Sequence, residues 1–149
     1  MPVAVKDILP KKTQKVASVT QDSTVLEAAK LMNQHRIGAV VVTKGPTVVG
    51  IFTERDILTR VVASKVEVAS TRVSEVMTTP VACCRSDTPL SECQAVMTSK
   101  RIRHLPVVDN NCLVGLVSIG DLMAHQLSTD QQTIHYLQEY LYGPCPPTE

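Results

Sequence analysis

Two heptapeptides hold the residues best placed to do chemistry: Gly50-Ile51-Phe52-Thr53-Glu54-Arg55-Asp56 and Gly115-Leu116-Val117-Ser118-Ile119-Gly120-Asp121. Each has a glycine, two apolar residues, a hydroxyl residue and, three positions later, an aspartate. An apolar run ending in Thr or Ser predicts a strand that runs into a helix, with the hydroxyl at the helix start. One chemistry there is structural. The hydroxyl caps a free backbone N–H, the acid sits at the positive end of the helix, and Gly50 and Gly115 let backbones approach. The other chemistry uses the same geometry on a ligand. A helix N-terminus beyond the end of a strand is an anion site. A carboxylate held there can accept two hydrogen bonds from a vicinal diol such as a ribose, while Thr53 or Ser118 and nearby N–H groups meet a phosphate. The aspartate cannot meet the phosphate itself, because like charges repel. Cations are therefore required close by. Arg36 and Arg101 stand at matching positions before a strand, Arg103 and His104 open that strand in one case, and Arg55 lies inside the first motif. Arg36 and Arg101 would equally suit a helix C-terminus, where a cation complements the dipole. Arg103 and His104 would equally suit a solvated surface.

The elements that position these residues occur twice. A shift of 65 residues sets Asp22 on Asp87, Met32 on Met97, Gly50 on Gly115 and Asp56 on Asp121. Residues 16–60 against 81–125 give 11 identities in 45 positions, where chance gives roughly three at about 6% per position. This is a duplication. Each copy predicts a strand (Val16 to Val19, Val81 to Cys84) and then a helix cap. The cap is Ser23 or Thr24 in copy one, and Thr88 with Pro89 at the first helical position in copy two. An apolar-spaced helix follows (Val25, Ala28, Ala29, Met32; Leu90, Cys93, Val96, Met97). Two strands around a turn come next: Ala39 to Val42 and Val48 to Phe52, or Leu105 to Val108 and Leu113 to Val117. A second helix closes each unit, Glu54 to Val62 or Ile119 to Leu127. The expected architecture is α/β (α+β), two βαββα repeats packed pseudo-symmetrically. The expected divisions are 1–67 for the first repeat with its N-terminal segment, 68–129 for the second, and 130–149 for a short C-terminal helix and tail. Neither unit of about 45 residues buries enough surface alone, so the functional unit is the pair with a cleft between its halves.

Outside the repeat, Val5-Lys6-Asp7-Ile8-Leu9 is echoed by Val73-Ser74-Glu75-Val76-Met77. Tyr136, Tyr140 and Tyr142 join Ile134, Leu137 and Leu141 in an apolar stripe at helical spacing, ended by Gly143-Pro144. It reads either as a helix packed on its own domain or as a surface for a dimer or partner.

Composition narrows the function. The net charge is +1 and aromatics are 3%, so neither the basic face nor the stacking aromatics of a nucleic-acid binder is present. No apolar run is long enough to span a bilayer. Lys6, Lys11, Lys12 and Lys15 are followed by no secretory h-region. The expected setting is cytoplasmic, or mitochondrial if a transit peptide has been removed. The five cysteines, Cys83, Cys84, Cys93, Cys112 and Cys145, make no Cys-x-x-Cys and no even framework. They read as reduced thiols, with redox sensing at Cys83 or Cys84 as the alternative. His35, His104, His125 and His135 are scattered, with no nucleophile–base pair and no metal-ligand spacing. The expectation is a protein that is not an enzyme and binds no metal.

The element order, the duplication and the paired Gly-x-x-Thr/Ser-x-x-Asp motifs resemble the CBS domain, named after cystathionine β-synthase. The run Arg101-Ile102-Arg103-His104-Leu105-Pro106-Val107-Val108 adds to the resemblance, which covers residues 5 to 128. The whole chain is similar to stand-alone two-CBS proteins of bacteria and plants, the CBSX type. The resemblance implies a Bateman module with two clefts for AMP, ADP or ATP, or less often NAD(H) or S-adenosylmethionine, and no required cofactor. It implies that Asp56 and Asp121 hold ribose hydroxyls, with Thr53 and Ser118 near the phosphate. Val16-Ala17 and Val81-Ala82 would contact adenine, and Arg103 and His104 would approach the phosphates. Arg36 and Arg101 are secondary candidates. It also implies a homodimer, and a regulated partner of the thioredoxin kind by analogy with plant relatives. Copy one has Gly38-Ala39 where copy two has Arg103-His104, so the two clefts are expected to differ. The cleft of Asp56, lined by Arg55, Arg103 and His104, is expected to favour a phosphorylated ligand. The rival reading is an interaction scaffold with empty clefts, acting through dimerisation and its C-terminal tail.

Overall fold

The computed structural model describes residues 3–9 and 16–128. The expected C-terminal helix and its tyrosines lie outside the described residues. Copy one runs β1 (Ser18–Thr20), α1 (Val25–His35), β2 (Ala39–Lys44), β3 (Thr47–Thr53) and α2 (Glu54–Asp56), which continues as a π-helical turn (Ile57–Val62). Copy two runs α3 (Leu90–Lys100), β4 (His104–Asp109), β5 (Cys112–Ser118) and α4 (Ile119–Ser128). Among the described residues, no helix is long and apolar enough to cross a membrane.

Local chemistry explains these boundaries. Thr24 caps α1: its hydroxyl accepts from Glu27 N, while the Glu27 carboxylate accepts from Thr24 N, both at 3.1 Å. The same position in copy two is Pro89, which has no hydroxyl. It stands just outside α3 rather than at its first turn, and Thr88 instead accepts from Arg85 N at 2.9 Å. The β4–β5 turn takes Asn110 and Asn111 through φ values of 50° and 62°, a conformation asparagine tolerates in tight hairpins.

β1, β2 and β3 form one sheet, with β1 parallel and β3 antiparallel to β2. β4 and β5 form a two-stranded antiparallel sheet. The strand expected at Val81 to Cys84 is reduced to a single parallel bridge between Cys84 and Val107. Its cause is one residue. In copy one, Val41 N donates to Ala17 O at 3.2 Å. The matching position in β4 is Pro106, which has no N–H to give Ala82, so the parallel ladder cannot extend.

Each copy has its own core, and each core is completed by a segment preceding the other copy. Val73 and Val76 are buried with Val25, Met32, Val40 and Phe52 of copy one. Val5 and Ile8 are buried with Cys93, Met97, Leu105 and Val117 of copy two. Backbone bonds fix both exchanges. Val73 N donates to Ser23 O at 2.7 Å, and Val5 N donates to Thr88 O at 2.9 Å. Val5 and Val73 are both fully buried, and such a side chain contributes about 1.5–3 kcal/mol. The two copies are thus interlocked rather than merely adjacent. A sequence division at residue 67 separates the repeats but not their packed cores.

Candidate functional site

The strand–helix junctions are built alike. Thr53 N and Oγ1 donate to Asp56 Oδ2 at 3.0 and 3.2 Å, and Asp56 N donates back to Thr53 Oγ1 at 3.3 Å. Ser118 N and Oγ donate to Asp121 Oδ2 at 2.8 and 3.0 Å, and Asp121 N donates back to Ser118 Oγ at 3.1 Å. Both motifs are therefore capping boxes in which the hydroxyl also bonds the acid. The structural chemistry read from the sequence is present, and it fixes each carboxylate at a helix N-terminus.

Beyond the box the two acids part. Asp56 is 4% exposed, whereas Asp121 is half-buried. Asp56 Oδ1 accepts from Thr78 Oγ1 at 2.9 Å and lies 3.7 Å from Arg60 Nε. Arg60 also donates to Met77 O at 2.7 Å. Neither Thr78 nor Arg60 is in the sequence-derived set. Arg60 was legible as an i,i+4 partner of Asp56, while Thr78 comes from the segment between the repeats and no local spacing marks it.

Three of the expected cations meet. Arg55 from α2 reaches a cleft of about 360 Å³ that copy two lines with Met97, Thr98, Arg101, Ile102, Arg103 and Ile119. Among the described residues, no carboxylate lines the cleft. The matching positions in copy one are of another character. Gly38 replaces Arg103 and Glu54 replaces Ile119. The Glu54 carboxyl carbon lies 3.3 Å from where a Gly38 Cβ would stand. Copy one thus sets an acid beside the position that carries Arg103 in copy two, which makes that side of the fold less favourable to an anion than the Arg103 cleft.

Other expected site residues lie elsewhere. Thr53, Asp56, His104, Ser118 and Asp121 are not in the lining of this cleft. His104 is half-buried and pairs across the hairpin with Ser118. Val16, Ala17, Val81 and Ala82 are half-buried ahead of their bridges to β2 and β4. Arg36 and Arg101 are left-handed C-caps with φ of 53° and 54°, each giving its N–H to the last helical turn. Arg101 reaches the cleft and Arg36 does not. The lining residues Met97, Thr98, Ile102 and Ile119 were missed as site residues. Met97, Ile102 and Ile119 read as core from their apolar type, Thr98 is an exposed polar residue outside any motif, and only packing brings the four to one cleft.

The model of the CBS domain family matches residues 5–63 and again 73–128. The chain belongs to the CBS-domain family. Both matches begin at the exchanged segments, so the family pattern includes them. The CBS domain-containing protein YhcV of Bacillus subtilis is 39% identical over 127 residues, 85% of this chain and 88% of that one. The mitochondrial CBS domain-containing protein CBSX3 of Arabidopsis thaliana is 34% identical over 129 residues, 83% of this chain and 63% of that one. Among solved structures, the CBS domain pair of protein MJ0100 in complex with 5′-methylthioadenosine and S-adenosyl-L-methionine superposes with a TM-score of 0.76 at 26% identity. That match covers 87% of this chain and 100% of that one. The tandem CBS architecture expected from the sequence is thereby shown. CBS pairs of this kind are in general regulatory, ligand-binding modules.

Proposed function

We propose that this CBS pair is a non-catalytic regulatory module that binds an adenine nucleotide (AMP, ADP or ATP) between its repeats and passes the occupancy to a partner protein. One observation carries the reading: Arg55 of copy one and Arg101 and Arg103 of copy two converge on a single cleft with no carboxylate among its described lining residues. Guanidinium groups suit phosphate, which they bind by paired, charge-assisted hydrogen bonds. The cleft volume falls within the range of small-molecule sites. Arg55 belongs to the same motif as Asp56, so phosphates at the arginines bring the ribose toward that acid, with Thr53 beside it. Asp121 and Ser118 are the corresponding groups of the second cleft. NAD(H) and S-adenosylmethionine share the adenosine moiety and are alternative ligands. An adenosine-type ligand is what the MJ0100 pair holds. A homodimer, and a partner responding to a shift between repeats, complete the reading. A reducing cytoplasmic setting goes with it, or a mitochondrial one as the name of CBSX3 suggests for that relative.

The test is calorimetric titration of AMP, ADP, ATP, NADH, S-adenosylmethionine and adenosine into the wild type, Asp56→Ala, Asp121→Ala and Arg103→Ala. Arg103→Ala is expected to weaken ATP about tenfold or more, the worth of hydrogen bonds to a charged group, while adenosine changes little. Asp56→Ala is expected to weaken both. Loss with Asp121→Ala alone would move the site to the second cleft. The scaffold reading draws on the capping boxes, which occupy both acids without any ligand. It predicts flat titrations from a folded protein, and no stabilisation by nucleotide.

A further inference from the structure

We propose that Thr78, on the segment joining the repeats, is a latch that closes the Asp56 carboxylate, so that a ligand engaging this acid must first displace the Thr78 hydroxyl. The inference rests on the nucleotide-binding reading above. An ionised carboxylate offers about four acceptor sites. Asp56 has Thr53 N and Oγ1 on Oδ2 and Thr78 Oγ1 on Oδ1, with Arg60 Nε beside the same oxygen. At 4% exposure the acid has almost no surface to offer a newcomer. A ribose diol needs two acceptor sites, so one resident donor must leave. The Thr53 amide is held by the capping box and cannot leave without fraying α2. The Thr78 hydroxyl comes from a different element and can turn away.

Thr78 is positioned by more than its hydroxyl. It bridges to Ile51 of β3, with Ile51 N donating to Thr78 O at 3.1 Å and Thr78 N donating to Ile51 O at 2.8 Å. Arg60 binds the preceding carbonyl, that of Met77, at 2.7 Å. The Met77 side chain fills the space above Gly50. Acid, arginine and connecting segment are one assembly, and the chain leads from it through Val81 and Ala82 into copy two. Releasing Asp56 therefore loosens the hold on the junction between the repeats, which ties occupancy to their relative position. Copy two is made differently. Leu9 covers Gly115 as Met77 covers Gly50. By sequence register the residue after Leu9 is Pro10, which carries no hydroxyl, and His125 stands at the position of Arg60. Thr78 is a positioning residue that sets the affinity of the copy-one acid.

The experiment is calorimetric titration of ATP into the full chain carrying Asp121→Ala, so that only the Asp56 site is read, with and without Thr78→Val. Valine keeps the shape and removes the donor. Because only the ligand-free state loses a bond to a charged group, ATP is expected to bind about tenfold more tightly. Thr78→Ser, which restores the hydroxyl, and Thr79→Val, which removes a neighbouring exposed one, are expected to match the parent. Thermal melts confirm that each variant is folded. ATP binding by Thr78→Val where the parent is silent supports the latch most directly. Unchanged or weaker binding in Thr78→Val, with the parent binding normally, overturns the latch and leaves the nucleotide reading intact. Silence from wild type, parent and Thr78→Val alike removes the nucleotide reading, and the latch with it.

Discussion

Asp56 and Asp121 end the same motif in two copies of one repeat, yet copy one closes over its acid and copy two leaves it half-buried. The same contrast runs through the neighbouring positions. Copy one sets Gly38 and Glu54 where copy two sets Arg103 and Ile119. Copy one extends β1 along β2, while Pro106 cuts the matching ladder to a single bridge. The duplication kept the hairpin and the capping box at each strand–helix junction. Divergence worked on side chains around the junctions, placing Thr78 on Asp56 in copy one and Arg103 at the cleft in copy two.

The largest effect expected from this contrast is on stability. Asp56→Ala strands the Thr78 hydroxyl and the Thr53 N–H in a buried site and removes an N-terminal cap, a loss of about 2–4 kcal/mol. Asp121→Ala removes the corresponding cap in a more open site and is expected to cost about 1–2 kcal/mol. Urea denaturation of the two variants measures the difference. Equal losses would show that Thr78 and burial add nothing to Asp56, and the contrast between the acids would collapse.

A smaller difference is expected at the two glycines. A Cβ added at Gly50 would run into Met77 Sδ and stand 3.0 Å from Thr78 O. The Thr78 oxygen is backbone, bonded to Ile51, and cannot swing aside. A Cβ added at Gly115 would meet Leu9 Cδ2 at 2.8 Å, the far end of a flexible side chain. Gly50→Ala is expected to cost about 1–3 kcal/mol, as overpacking does. The cost of Gly115→Ala is expected to be smaller, about 1 kcal/mol or less, because Leu9 can turn away. The same urea series compares the two. If Gly115→Ala proves the more damaging, Leu9 is held more rigidly than Met77, and the exchanged segments trade roles.

The fold was legible because its signals are local. The 65-residue shift, Thr24 with Glu27, and the Gly-x-x-Thr/Ser-x-x-Asp motifs are all readable along the chain. The capping pairs lie within a few residues of the structure they specify. The echo of Val5 to Leu9 in Val73 to Met77 was visible as a likeness, but nothing in it says that each segment crosses to the other copy. Pro106 stood in plain view inside a run read as a strand. Its missing N–H explains the lost ladder only once β2 and β1 are known to be partners. At the site, Arg55, Arg101 and Arg103 were found as cations. Their meeting, and the placing of Thr78 on Asp56, depend on contacts between residues far apart in sequence, which spacing does not encode.

The smallest effect is chemical and reports on copy two alone, because all five cysteines follow residue 82 and copy one has none. Cys83 and Cys112 are exposed; Cys84 and Cys93 are buried together in copy two's core. Partial desolvation by neighbouring atoms raises the Cys83 thiol from its ordinary value of 9.0, although the residue is exposed. Burial, with Cys93 alongside, pushes the Cys84 thiol up to about 12. The thiolate is the reactive form, so brief iodoacetamide treatment at pH 8 is expected to leave Cys84 and Cys93 unmodified while Cys112 reacts, as peptide mass spectrometry would show. The sign of the pH effect follows. Below about pH 9 the Cys84 thiol is protonated whether the chain is folded or not, and it contributes no pH dependence. Between 9.0 and about 12 the unfolded chain ionises first, so stability falls as pH rises through this window. Cys84→Ser is expected to flatten that fall. Labelling of Cys84 as fast as Cys112 in native protein at pH 8 would mean that copy two opens readily, and copy two would then be the more yielding half of the pair.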